Sequence, residues 1–67
     1  MGYKIKERRE AIKMSQEELA KKSGVSRTTI SLLETGAMKY ASSKTLLSIA
    51  SALGTTIDNL FLMNDVL

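Results

Sequence analysis

The apolar residues of this chain recur every three or four positions in short blocks, and polar or glycine residues separate the blocks. This spacing places apolar side chains on one face of an α-helix. The pattern predicts an all-α fold in one domain over residues 1–67, with five short helices at about 3–13, 16–23, 27–35, 43–53 and 57–63.

The two central helices carry clear boundary signals. Ser15 with Glu18 three residues later fits a capping box, in which hydroxyl and carboxylate each accept from the other residue's backbone N–H. Gly24 predicts the end of this helix, because glycine adopts the left-handed conformation without steric cost. Ser26 is a favoured N-cap for the next helix, which Gly36 ends. Helix, glycine turn and helix follow one another with the spacing of a helix-turn-helix.

The sequence of this stretch, SQEELAKKSGVSRTTISLLETG, resembles the repressor-type helix-turn-helix of the Cro/C1 (XRE) family. Members of that family typically show Ser or Thr followed by Gln-x-x-Leu-Ala, then Gly-Val-Ser, an Ile and a Glu-x-Gly ending. The resemblance continues through LLSIASALGTTIDNLF and covers nearly the whole chain. It implies a compact lambda-repressor-like DNA-binding domain whose second motif helix lies in the major groove.

The outward face of the second motif helix is expected to read bases. Arg27 and Thr28 open this helix; arginine can bond guanine O6 and N7 together, and threonine can offer a hydroxyl or a methyl. Leu32 either touches thymine methyls or packs on the loop at Tyr40, and the sequence leaves both open. The competing interpretation is an ordinary solvated helix surface. The modest helix formers on this face argue against it.

Contacts to the DNA backbone are expected from nearby amide, hydroxyl and ammonium groups. Gln16 begins the first motif helix, whose positive end can hold a phosphate, and the resemblance implies this role; the alternative is a solvent-exposed first-turn residue. The full expected set is Gln16, Ser26, Thr29, Ser31, Lys39, Ser42 and Ser43. The loop GAMKYASS departs from the family pattern, because it has one lysine and no proline, and we expect Met38 and Tyr40 to fold inward.

An arginine lies on the face of the first helix that should be buried, since Ile5, Arg9 and Ile12 follow one another at intervals of four and three. The resemblance implies that Arg9 pairs with Glu34, the glutamate that closes the second motif helix. The alternative is that Arg9 reaches solvent along its aliphatic stem while Glu34 stays at the surface.

The last third of the chain supplies core and a surplus of apolar residues. Core positions are expected at Leu46, Ile49, Ala50, Leu53, Ile57, Leu60 and Phe61. The tail residues Leu62, Met63, Val66 and Leu67 exceed what five short helices cover, and an exposed apolar patch marks an interface. We expect a two-fold homodimer through the fifth helix and this tail. A frayed terminus and a protein partner bound by the tail are the alternatives.

The amino-acid composition limits which catalytic, metal-binding and membrane functions the chain can have. The chain has neither cysteine nor histidine, so thiolate catalysis, the commonest general base and the usual metal ligands are missing, and we expect no metal, no cofactor and no enzyme. All ten Lys and Arg lie between residues 4 and 44, which suits a polyanion, although lysines also serve solubility. No apolar run approaches the roughly 18 residues of a membrane span, so we expect a cytoplasmic protein without membrane contact.

These observations predict a sequence-specific regulator of transcription that binds double-stranded DNA. Repression by a homodimer on a pseudo-palindromic operator is the first hypothesis, because one such domain reads few base pairs. The alternative is an antitoxin-like protein-binding module that also regulates its own operon through the helix-turn-helix.

Overall fold

The computed structural model describes residues 3–60, which form four α-helices and one turn of 3₁₀-helix. The α-helices are α1 (Ile5–Ala11), α2 (Gln16–Ser23), α3 (Arg27–Thr35) and α4 (Ser43–Ala52), and the 3₁₀ turn covers Asp58–Leu60. The expected all-α class is confirmed for the described residues.

The expected count of five α-helices is wrong for this part of the chain. Where the fifth was expected to begin, Asn59 N–H donates to the Thr56 carbonyl at 3.1 Å and Leu60 N–H to the Ile57 carbonyl at 2.9 Å. Bonds that span three residues belong to the 3₁₀-helix, which rarely extends beyond one turn. Residues 61–63 of the expected helix lie outside the described residues.

The first helix begins two residues later than expected, at Ile5, and ends earlier because a left-handed residue follows it. Lys13 has φ 58°, its N–H donates to the Glu10 carbonyl at 3.0 Å, and the Met14 N–H donates to the Arg9 carbonyl at 3.0 Å. These are the two bonds of a Schellman ending, with lysine where glycine is usual. Ile12 follows the last helical residue and is 50% exposed, so its expected place on the buried face is wrong.

The helices of the motif begin and end through local hydrogen bonds. Ser15 Oγ accepts from the Glu18 N–H at 3.0 Å, and Glu18 Oε1 accepts from the Ser15 N–H at 2.8 Å. The chain then leaves α2 at Gly24, which has φ 74°, and Ser26 Oγ starts α3 by accepting from the Thr29 N–H at 3.1 Å. Each bond satisfies a backbone group that the helix itself leaves unpaired.

The core lies where α1, α2, α3 and α4 meet. Its buried members are Ile5, Leu19, Ile30, Leu33, Ile49, Ala50, Leu53 and Leu60. Burial of a large aliphatic side chain contributes about 1.5–3 kcal/mol, so these residues hold the two motif helices in place. Leu46 is buried as expected, Ile57 is half-buried, and the expected core residue Phe61 lies outside the described residues.

Candidate nucleic-acid interface

A shallow open groove runs between the start of α2 and the outer face of α3. It has a volume of about 310 Å³ and is lined by Gln16, Arg27, Thr28, Ser31 and Leu32. Four of the lining side chains are polar and one of these is cationic. The structure therefore brings together, from two helices, residues that the sequence assigned separately to base and backbone contacts.

Arg27 and Thr28 project from the molecule at the first turn of α3. Both side chains are exposed, and within residues 3–60 neither has a hydrogen bond or an ion pair. Their donors are therefore available to a ligand in the groove. The first turn of a helix also carries unpaired backbone N–H groups and a partial positive charge, which favours an anionic ligand there.

Two expected backbone-contact residues are also engaged within the protein. The Ser26 hydroxyl donates to Thr29 Oγ1 at 2.9 Å while it accepts from the Thr29 N–H, so it acts as the cap of α3. Thr29 is also half-buried. Ser31 is half-buried as well, but it lines the groove and faces the same side as Arg27.

The loop between α3 and α4 lies at the surface. Tyr40 is 85% exposed, so the expectation that it folds inward is wrong, whereas Met38 packs on the core as expected. The loop is fixed by the Met38 N–H, which donates to the Leu32 carbonyl at 3.0 Å, and by the Lys39 carbonyl, which accepts from the Tyr3 hydroxyl at 3.3 Å. Tyr40 is thereby left pointing to solvent beside exposed Lys39.

Leu32 is 36% exposed. Because the Tyr40 side chain is 85% exposed, packing on Tyr40 does not bury Leu32. Ser42 caps α4, because its hydroxyl accepts from the Thr45 N–H at 3.1 Å. Ser43 is the first residue of α4 and is exposed. The loop therefore ends in two serines at a helix start, with Lys39 as its cation.

An ion pair joins α1 to the end of α3. Arg9 Nε lies 2.8 Å from Glu34 Oε2 and Arg9 Nη2 lies 3.1 Å from Glu34 Oε1, which is the two-pronged geometry of a guanidinium on a carboxylate. This is the contact that the family resemblance implied. The hydrogen bond to Glu34 outweighs burial and raises the pKa of the Arg9 guanidinium above its ordinary value, so Arg9 stays charged.

Gln16 is hydrogen-bonded to the Arg9–Glu34 ion pair. Its Nε2 donates to Glu34 Oε1 at 2.9 Å, and the side chain is half-buried rather than solvent-exposed. Arg9 Nη1 also donates to the Met14 carbonyl at 2.8 Å, which holds the turn that leads into α2. Neither bond follows a local spacing rule from which it could be predicted, and Gln16 and Glu34 lie on different helices.

A second, larger groove lies between the end of α2 and α4. It has a volume of about 590 Å³ and is lined by Lys22, Ser23, Leu47, Ser48, Ser51 and Ala52. Leu47 is 60% exposed there. Its lining residues share no sequence motif from which the groove could be predicted.

Within residues 3–60, Asp and Glu nowhere gather in a group of three or more that could hold a metal ion. None of the helices in this range has the length and apolar character needed to cross a bilayer. The expected dimer residues Leu62, Met63, Val66 and Leu67 lie outside the described residues.

Comparison with known proteins gives a consistent result. A family model described as helix-turn-helix matches residues 5–60, from the first residue of α1 to the last residue of the 3₁₀ turn. The chain is 46% identical over 66 residues to a protein of Archaeoglobus fulgidus described as an uncharacterized HTH-type transcriptional regulator; the alignment covers 97% of this chain and 91% of that protein. No solved structure matches the chain.

Proposed function

The chain belongs to the Cro/C1-type helix-turn-helix family of DNA-binding transcriptional regulators, and from this premise we propose that it is a repressor that binds a pseudo-palindromic operator as a homodimer. The observation that supports this most directly is the groove in which Arg27 and Thr28, at the exposed start of α3, stand beside Gln16 of α2.

The proposed base contacts come from the start of α3. The Arg27 guanidinium has five N–H donors in a fixed fork and can bond O6 and N7 of one guanine in the major groove. Thr28 is exposed beside it and can meet a neighbouring base with its hydroxyl or methyl. Leu32, which also lines the groove, offers an apolar contact to a thymine methyl.

The proposed backbone contacts surround these residues. Gln16 takes one phosphate at the start of α2, while Ser26, Thr29 and Ser31 border the base-reading side chains. Exposed Lys39, in the loop after α3, contacts the backbone together with the serines at the start of α4, Ser42 and Ser43. Such contacts fix the orientation of the protein on the duplex without carrying sequence information.

Two copies of the domain account for useful selectivity. A two-fold dimer places two α3 helices in successive major grooves, about 34 Å apart, so the operator should be a pseudo-palindrome. We assign the dimer contact to the apolar tail that contains Leu62, Met63, Val66 and Leu67. Repression follows from binding alone, because a bound dimer excludes polymerase from an overlapping promoter.

The experiment is selection of bound sites from random duplex DNA by the unmodified protein. The proposal expects a motif with two inverted half-sites about one helical turn apart. A single asymmetric half-site would contradict the dimer, and failure to enrich any sequence would contradict sequence-specific binding. Sedimentation of the protein with and without the selected duplex then measures how many copies bind.

The apolar tail also supports a second candidate, an antitoxin-like module that holds a protein partner through the tail and regulates its operon through the same groove. The sequence FLMNDVL after Leu60 is rich in large apolar residues, as an interface segment is. Stoichiometric co-purification with the product of a neighbouring gene would favour this candidate. A homodimer without a second protein would favour the repressor.

A further inference from the structure

The Glu34 carboxylate is shared by two side chains of different roles. Oε2 accepts from Arg9 Nε, and Oε1 accepts from both Arg9 Nη2 at 3.1 Å and Gln16 Nε2 at 2.9 Å. The Glu34 side chain is only 3% exposed, so water does not compete strongly for it. One carboxylate therefore links α1, the start of α2 and the end of α3.

This contact fixes which atom of the Gln16 amide faces Glu34. An ionised carboxylate has no hydrogen to donate, so the amide nitrogen, and not the amide oxygen, must face it. Gln16 Oε1 has no partner among the described residues; because no buried polar side-chain atom there lacks a partner, this oxygen is exposed. Within residues 3–60 the second Nε2 hydrogen has no partner either. Gln16 thus presents a fixed amide at the rim of the groove.

The charge of Glu34 is neutralised at the same place. A bare carboxylate next to a DNA-contacting amide would repel a phosphate, but the Arg9 guanidinium binds both of its oxygens. Arg9 also holds the Met14 carbonyl, in the turn just before α2. The pair therefore presents no net charge to the groove and is held in place by hydrogen bonds to its neighbours.

We propose that Glu34 is a positioning residue for DNA binding: it holds the Gln16 amide so that the remaining N–H meets a phosphate oxygen, while Arg9 cancels the charge that would repel that phosphate. The inference rests on the proposed DNA-binding role of Gln16. Its physical basis is preorganisation, because a flexible glutamine that is already fixed loses less entropy when DNA binds.

Two double variants separate positioning from fold stability. Arg9→Met/Glu34→Gln and Arg9→Met/Glu34→Met each remove both charges and keep side chains of similar size, but only the first retains an oxygen that can accept from Gln16. The Kd for the selected operator is measured for both, after circular dichroism shows that each is folded. We expect the Glu34→Gln version to bind about threefold to tenfold more tightly, which is the value of one hydrogen bond.

The matched control is Gln16→Ala in each double variant. The difference in Kd should vanish there, because no amide remains to be positioned. Equal affinities of the two double variants would overturn the inference, and so would a difference that persists with Gln16→Ala. If the unmodified protein binds no duplex, the proposed function fails and the inference fails with it. That outcome can be distinguished from failure of the inference alone, because it is observed with the unmodified protein before any variant is measured.

A second measurement uses the unmodified protein and does not depend on how the variants fold. Gln16 is the only glutamine in the chain, so selective ¹⁵N labelling of glutamine gives a single side-chain NH₂ group in the NMR spectrum. We expect its hydrogens to exchange with solvent more slowly than those of a free glutamine peptide, and its signals to shift when operator is added. Exchange as fast as in the peptide, or no shift with bound operator, would overturn the inference.

Discussion

Gln16 of α2 and Arg27 of α3 line the same groove although they belong to different helices. The chain turns between them at Gly24, whose φ of 74° lies in the left-handed region. Ser26 then starts α3 through its bond to the Thr29 N–H. The direction in which Arg27 projects thus depends on a backbone conformation that residues with a Cβ rarely adopt.

Replacement of Gly24 tests this turn. A Cβ at Gly24 would meet no atom within 4 Å, so Gly24→Ala introduces backbone strain without crowding. We expect the free energy of unfolding to fall by about 1–2 kcal/mol, measured by urea denaturation. Gly24→Asn is the control and should lose less, because asparagine tolerates the left-handed region better. Equal losses in the two variants would contradict this account of the turn.

The Arg9–Glu34 pair should be strongly coupled in stability. Its side chains are 10% and 3% exposed, and loss of either partner leaves the other charge buried without compensation. We expect Arg9→Met or Glu34→Met alone to lower the free energy of unfolding by about 3–5 kcal/mol, and the double variant to lie near the unmodified protein. The double-mutant cycle is measured by denaturation. Additive single effects would show that the pair contributes no coupling.

The capping box should make stability depend on pH. The hydrogen bond from the Ser15 backbone lowers the pKa of Glu18 below its ordinary value. A lowered folded-state pKa contributes stability above the unfolded-state pKa, and this stability is lost as pH falls through the folded-state value. Glu18→Gln keeps the shape and removes the charge, so its melting temperature should lie below that of the unmodified protein near pH 7.

The difference in melting temperature between Glu18→Gln and the unmodified protein should shrink as the pH is lowered to about 3, below the ordinary pKa of a glutamate. Glu17→Gln is a suitable control, since Glu17 is exposed on the same first turn and accepts no hydrogen bond within the described structure. A Glu18 effect that is the same at both pH values would contradict the charge-based explanation.

Local sequence signals were sufficient to predict the two helices of the helix-turn-helix motif. Ser15 with Glu18, Gly24, Ser26 and Gly36 each act within a few residues, so the bounds of α2 and α3 could be placed from the sequence. The exposed position of Arg27 and Thr28 followed from the same spacing. The Arg9–Glu34 contact came from the family resemblance, because no periodicity links two residues so far apart.

The predictions that were wrong or missing concern interactions that local sequence patterns do not record. Ile12 continues the apolar spacing of α1. The left-handed conformation of Lys13, however, ends the helix at Ala11, and Ile12 is 50% exposed. Tyr40 is large enough for a core, yet Met38 takes the inward position in the loop. The bond from Gln16 to Glu34 depends on how α2 and α3 pack, which the sequence alone did not specify.

Base recognition by Arg27 is the central claim, and one set of affinities tests it most directly. The Kd of the unmodified protein, of Arg27→Ala and of Arg8→Ala is measured for the selected operator and for each of its single base-pair variants at one salt concentration. Arg8 is an exposed arginine of α1 outside the groove, so its variant controls for the loss of one charge.

We expect Arg27→Ala to weaken operator binding by about 1–3 kcal/mol and to abolish the preference at one base pair in each half-site, while Arg8→Ala keeps every preference. Unchanged preference at all positions in Arg27→Ala, or the same uniform loss in both variants, would contradict the account.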